Sequence, residues 1–271
     1  MNFPTLPILD QLLRVLLFLS VIAAVFLTAF GFCDNIKAQD MPFSFKPGEK
    51  LTFELKWTII PAGEAMLEVL PIETVNGIQS HHFVMTVRSN SFVDQFYKVR
   101  DRIDAYTDIK MTRSILYKKN QHEGTSRRDI VVEFNREKNQ AQYSDFNNKL
   151  EPIDLYSGSF DPLSAFYFVR LVDLKTNLII ERPVTDGKIC VIGKAAVIKR
   201  ETIKLASGIS YDTFLIEPGI EHIGGVFEKS KDAKIQLWVS ADHRRIPVKI
   251  KSKVVVGSFT GELVSATGLK E

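Results

Sequence analysis

Between Lys50 and Thr260 short runs of alternating apolar and polar residues succeed one another, each closed by a turn signal, and that pattern restricts the fold more than any other feature. Leu51, Phe53, Leu55 and Trp57 alternate with Thr52, Glu54 and Lys56, the signature of a strand with one buried and one wet face. Pro61-Ala62-Gly63 breaks this run, and the small pair Ala62-Gly63 suits a bulge or a close approach of another backbone or a ligand. Ala65, Leu67 and Val69 then alternate with Glu64, Met66 and Glu68, and Asn76-Gly77 is a strong hairpin turn leading into a strand over Phe83–Val87. From Phe96 to Tyr106 the residues Tyr97, Val99, Asp101 and Ile103 share one parity; Asp101 is out of place there, and an inward arginine or a strand kink would account for it. Strands over 114–119 and 129–134, joined by a turn over 120–124, a short strand over 140–144, and runs at 178–183, 188–192, 196–205 and 210–217 follow at roughly ten-residue intervals. Ile235, Leu237 and Val239 face Ile246, Val248 and Ile250 across a turn at 241–245, and 254–259 closes the series, with the tail beyond free to pair or fray.

One stretch breaks the two-residue period. Asp161 is a helix cap, Pro162 fits the first helical position, and Leu163, Phe166, Tyr167, Leu171 and Leu174 fall on one face at helical spacing. The fold class is therefore all-β and mainly antiparallel: a curved meander forming an open or closed β-barrel-like domain over 39–271, with one packed amphipathic helix on its concave side or open end.

The N-terminal stretch 1–38 reads as a signal peptide or a membrane anchor. Val15 to Phe32 is almost wholly apolar, preceded by Arg14 and followed by Asp34 and Lys37. That is longer than the usual apolar core of about 7–15 residues in a signal and close to the roughly 20 that span a bilayer. Cleavage after Ala38, retention as an anchor, and lipid attachment at Cys33 all remain open, Phe32 being a poor neighbour for the last. The chain is expected to be exported, periplasmic or anchored facing the periplasm. Its other cysteine, Cys190, sits in an apolar strand-like run and reads as a small buried hydrophobe.

A net charge of +3 and the isolated pairs Arg127-Arg128 and Arg244-Arg245 give no nucleic-acid surface. The five histidines lack metal-ligand spacing, and the adjacent His81-His82 would point to opposite faces of a strand, so no metal or cofactor is expected. Ser157-Gly158-Ser159 has no base beside it, Gly224-Gly225 leads into a charged stretch over 221–234 read as an exposed loop, and no nucleophile elbow occurs. A catalytic role is not expected.

Several pieces together resemble the bacterial exported proteins of domain-of-unknown-function family 3108. They are Gly48-Glu49 with Leu51-Thr52-Phe53 and Trp57, Ala62-Gly63-Glu64-Ala65, Phe96-Tyr97 with Val99 and Asp101, Asp161-Pro162-Leu163-Ser164-Ala165 with Tyr167 and Arg170, and Trp238 with Pro247-Val248-Lys249. The resemblance runs from about Phe45 to Val264. It implies an envelope protein with a β-barrel-like fold, akin to exported barrels associated with capsule polysaccharide export, and it carries over no catalytic residue. The expected function is non-catalytic binding of a lipid, a glycan or an envelope-assembly partner on the concave face, with membrane contact through the N-terminal segment if it stays uncleaved. Trp57, Gly63, Tyr97, Asp101, Phe166, Tyr167 and Arg170 are the candidate lining or gating residues. A solid scaffold acting through a strand edge or loop is the alternative, and a hydrolase of envelope polymers, built on two carboxylates of different acidity, a further one. The inward aromatics could line an apolar cavity for a lipid tail, but packing alone can absorb them, and a dry, filled core accounts for them slightly better.

Overall fold

The computed structural model describes residues 43–219, 233–254 and 257–271. The segment 1–38 with Cys33, His222, Gly224-Gly225 and nearly all of the charged stretch 221–234 lie outside the described residues. Among the described residues fifteen strands make one antiparallel sheet. The first run is β1 (Lys50–Trp57), β2 (Ile60–Val75), β3 (Ile78–Ser89), β4 (Arg100–Asp108), β5 (Ser114–Glu123), β6 (Ser126–Asn135), β7 (Gln140–Asp145), β8 (Asn148–Lys149) and β9 (Ile153–Asp154), which returns to β7. The second is β10 (Ile179–Thr185), β11 (Cys190–Lys204), β12 (Ser210–Pro218), β13 (Lys234–Ser240), β14 (Pro247–Val254) and β15 (Gly257–Thr267). Pairing of β15 with β1 joins the two runs, so the tail beyond Thr260 is paired on both sides.

The sheet is the open form of the expected barrel. Its end strands β8 and β10 are not paired with each other. The gap between them is crossed by chain instead of ladder: Leu155 N donates to Asn139 O on the β7 side at 2.8 Å, and Phe160 exchanges backbone bonds with Pro183 and Thr185 of β10 at 2.9 Å. Pro183 on β10 suits an edge position, where a missing N–H is tolerated. The β1–β2, β3–β4 and β5–β6 connections lie at what we call the upper end, and the β2–β3, β4–β5 and β13–β14 turns at the lower end.

Among the described residues two helices interrupt the meander. The short α1 (Ser91–Asp94), which the alternation did not announce, is capped by Asn90, whose side chain accepts from Val93 N at 2.9 Å. It displaces the start of β4 to Arg100, so Phe96 and Tyr97 belong to the loop. The second, α2 (Pro162–Val169), begins as its sequence dictates: Asp161 accepts from Ser164 N at 2.9 Å and Pro162 occupies the first turn. Its burial differs from the expected single apolar stripe. Every residue of α2 except Phe166 is buried, and Leu171 and Leu174 lie beyond its end. The helix sits inside the curve of the sheet, in contact with β3, β4 and β10, so a stripe facing one wall would leave the opposite wall unfilled.

The runs expected as separate strands at 188–192 and 196–205 are one unbroken strand, β11, and three turns are placed differently from the sequence expectation. Pro61-Ala62-Gly63 does not end a strand; the tip is Thr58-Ile59, and Ala62 is a bulge, since Leu55 pairs with Gly63 and Lys56 with Pro61. The 120–124 segment is strand as far as Glu123, with the turn at Gly124-Thr125. Val254 ends β14 instead of opening the last strand. The β13–β14 hairpin falls where the alternation put it.

Candidate functional site

The seven candidate residues divide among five places. Gly63 faces Ser89 across the β2–β3 ladder, and a Cβ built on it would lie 2.1 Å from the Arg88 carbonyl oxygen. Close passage of backbone explains this glycine. Trp57 is half-buried at the upper end, its indole Nε1 buried without a hydrogen-bond partner.

Tyr167 and Arg170 lie together in an ionic and aromatic core at the lower end. Arg170 is 1% exposed and grips Glu49, also 1% exposed, through Nη1–Oε1 at 2.5 Å and Nη2–Oε2 at 3.0 Å. Its Nη2 also donates to the carbonyls of Ser44 at 3.2 Å and Arg244 at 2.9 Å, and Ser44 Oγ donates to Arg170 O at 2.6 Å. The Tyr167 ring stacks on Phe83 at 4.0 Å, and Phe45 meets both rings edge-on. Burial holds the Tyr167 phenol protonated far above the usual tyrosine range, and its hydroxyl has no partner. One turn of helix thus ties down the lead-in to β1 and the β13–β14 turn.

Phe166, the half-buried side chain of α2, looks the other way. With Leu163 it forms one wall of an apolar cleft whose opposite walls are Phe53 and Leu55 of β1, Leu67 of β2, Met85 of β3, Leu237 of β13 and Ile250 of β14. Lys249, the one charged lining residue, is held by Glu262 at 2.7 Å. The cleft encloses about 490 Å³ of atom-free space counted out to its open mouth, but a water-sized body can centre itself in only about 30 Å³ of that. This is room for about two water molecules, well short of the roughly 150 Å³ of a cavity that takes benzene.

Tyr97 and Asp101 meet in a second cluster, on the concave face under the upper end. Asp101 is 4% exposed and accepts from His122 N at 3.0 Å; among the described residues no inward arginine pairs with it. Its neighbour is Glu123, 1% exposed, from the inner parity of β5 that also carries Lys119 and Gln121. No donor reaches Asp101 Oδ2 or Glu123 Oε1, and a proton kept on one carboxyl would supply the missing donor to the other. Burial, then the Asp101 charge, pushes Glu123 up to about 7; burial also raises Asp101, against the His122 N–H. Lys119 is held below the ordinary lysine range by burial despite both carboxylates, and burial followed by Glu123 and Asp101 pushes the Tyr97 phenol up to about 12. Tyr97 lies against Gly124, where any Cβ would fall 2.5 Å from its ring.

The histidines are occupied separately. His81 Nε2 faces Ile109 O at 3.2 Å within an aromatic group, whereas His82 lies on the other face between Glu73 at 2.7 Å and Asp104 at 2.8 Å, stacked on Tyr106. Among the described residues no group of three potential ligands is arranged for a metal. Ser159 donates to Tyr156 O at 2.5 Å and lies 3.3 Å from the half-buried Cys190. Sequence reasoning missed Glu49 and Glu123. The first lay at the head of a strand where a charge is ordinary; the second was assigned to a turn because the inner face of β5 is polar there and hides its period.

The model of a family described as a protein of unknown function, DUF3108, matches residues 52–264. No curated protein matches the chain. Among solved structures, a β-barrel-like protein of domain of unknown function DUF1849 from Brucella abortus is similar with a TM-score of 0.52 at 8% identity, over 82% of this chain and 98% of its own. A hypothetical protein from Chlamydia trachomatis gives 0.34 at 8% identity, over 83% and 90%. At such identity the first is a likeness of fold alone.

Proposed function

The chain belongs to the DUF3108 family, whose function is unassigned, and from that premise we propose that it is an exported, non-catalytic envelope protein that receives the apolar chain of a lipid in the cleft beside Phe166. The observation that carries this reading is a cleft inside the curve of the sheet, open to solvent and lined by apolar side chains, Lys249 excepted. A chain enters only if the Phe166 ring turns outward, which its half-buried position permits. Lys249 stands at the cleft with its charge balanced by Glu262, available to an anionic headgroup that displaces the carboxylate.

The test is native mass spectrometry with lipid extraction on protein purified gently from the envelope of its host. A lipid near one-to-one stoichiometry is expected, falling at least tenfold in Phe166→Trp, whose larger ring fills the mouth, while the thermal midpoint stays close to the parent's. A clean apo mass from several mild preparations overturns the proposal. That outcome favours the scaffold reading, for which one observation speaks: Arg170, Tyr167, Phe83 and Phe160 fill the lower interior with no exposed surface to offer.

A further inference from the structure

The upper end carries a group of apolar side chains that neither packing nor turn chemistry explains. At the β1–β2 tip, Ile59 is 83% and Ile60 41% exposed; on the adjoining loop, Phe92 and Phe96 are 57% and 55% exposed and meet edge-on with ring centres 5.7 Å apart. The two segments are one surface, because Asn90 Nδ2 donates to Pro61 O at 2.7 Å and Asn90 N to Ala62 O at 3.0 Å. A two-residue hairpin tip favours Asn-Gly, yet here Thr58 holds φ at +55°, strained for a β-branched residue, and presents isoleucine to solvent. Turn propensity, core packing and solubility all argue against this choice of residues.

The charges around the tips say what the surface meets. The nearby carboxylates are already engaged, Glu54 with Lys56, Glu64 with Arg88 and Asp94 with Arg100. Exposed Arg127 and Lys253 form no ion pair among the described residues, and Lys98 shares Asp94 with the closer Arg100. Protruding aliphatic and aromatic tips at the end of the sheet that also carries exposed cations suit a flat, fluid, anionic surface and not a shaped protein groove. We propose that the upper end docks on an anionic lipid bilayer, with Ile59, Phe92 and Phe96 entering the acyl boundary and Lys98, Arg127 and Lys253 contacting headgroup phosphates. This does not depend on the cleft holding a lipid.

The test uses the full chain carrying Phe92→Trp, with Ile72→Trp as control. Ile72 is 47% exposed near the other end of β2, roughly 40 Å away at about 3.3 Å per residue. Emission of the added tryptophan, relative to the parent chain, is followed on phosphatidylcholine vesicles with and without phosphatidylglycerol, using bromine-labelled acyl chains as quencher. The tip position is expected to be quenched on the anionic vesicles only. Lys98→Glu and Lys253→Glu should each lower the inserted-to-free ratio about fivefold or more, and high salt should abolish it. The control position should stay unquenched even if the N-terminal segment holds the chain on the vesicle. An unquenched tip, equal quenching on neutral vesicles, equal quenching at Ile72→Trp, or indifference to the two lysine reversals overturns the proposal; an unquenched tip that binds a soluble protein points to a protein partner instead.

Discussion

Replacing Arg170 by methionine is expected to remove about 3–5 kcal/mol of folding stability, read as a drop in the urea midpoint with little change in slope. Glu49, 1% exposed, would be left as a charge without a cation, and the carbonyls of Ser44 and Arg244 would lose their shared donor. Against a total stability of about 5–15 kcal/mol for a domain, that is enough to unfold much of the protein at physiological temperature. The expectation concerns the removal of one partner only. In the double variant with Glu49→Gln, no buried charge remains, and most of the loss should be recovered. Arg170→Lys should fall between, since an ammonium keeps the charge but cannot span both carboxylate oxygens and two carbonyls. A single-variant loss below about 1 kcal/mol would mean that water reaches Glu49, and Arg170 would not be the clasp that fastens the lead-in to β1 onto α2.

That clasp marks where sequence reasoning ends. The alternation of Leu51, Phe53 and Leu55, the Asn76-Gly77 turn, the β13–β14 hairpin and the Asp161-Pro162 helix start were all legible, because each is decided by neighbours in the chain. What was not legible is decided across the fold. Arg170 meets Glu49 only after the sheet has curved and α2 has entered it, so neither residue carries a local sign of the pair. Wrapping also explains why α2 is buried on nearly all sides when its own periodicity suggests one face. Tyr97 and Asp101 could be singled out as an inward aromatic and an inward charge, but their partner Glu123 could not, since a polar inner face has no period to read. Gly63 carried its meaning directly: a residue without a side chain marked the place where another strand passes.

The Asp101–Glu123 pair gives the second large effect, a dependence on pH. A carboxyl with its folded pKa raised to about 7 binds its proton more tightly in the folded state than in the unfolded chain. The stability it contributes is therefore complete below its ordinary value near 4.5 and is lost as pH rises through 7. At about 1.4 kcal/mol for each tenfold in the proton equilibrium, and with part of the effect shared with Asp101, the loss between pH 5 and pH 8 should be on the order of 2 kcal/mol. His81 acts with the opposite sign: burial lowers its pKa, so it stabilises above its ordinary value and that stability is lost as pH falls. A bare pH profile would mix the two, and Glu123→Gln separates them. The amide keeps the shape and offers Asp101 a donor without a titrating proton, so the variant should match the parent at pH 5 and exceed it by about 2 kcal/mol at pH 8, measured as paired urea midpoints. Equal destabilisation at both pH values would show that Glu123 is needed as a charge, paired with Lys119, and that no proton is held between the two carboxyls. The cluster lies under the same end of the sheet as the exposed tips, where an anionic surface concentrates protons. Docking there would favour the protonated, more stable pair, so the same substitution should also make the stability gained on anionic vesicles less sensitive to pH.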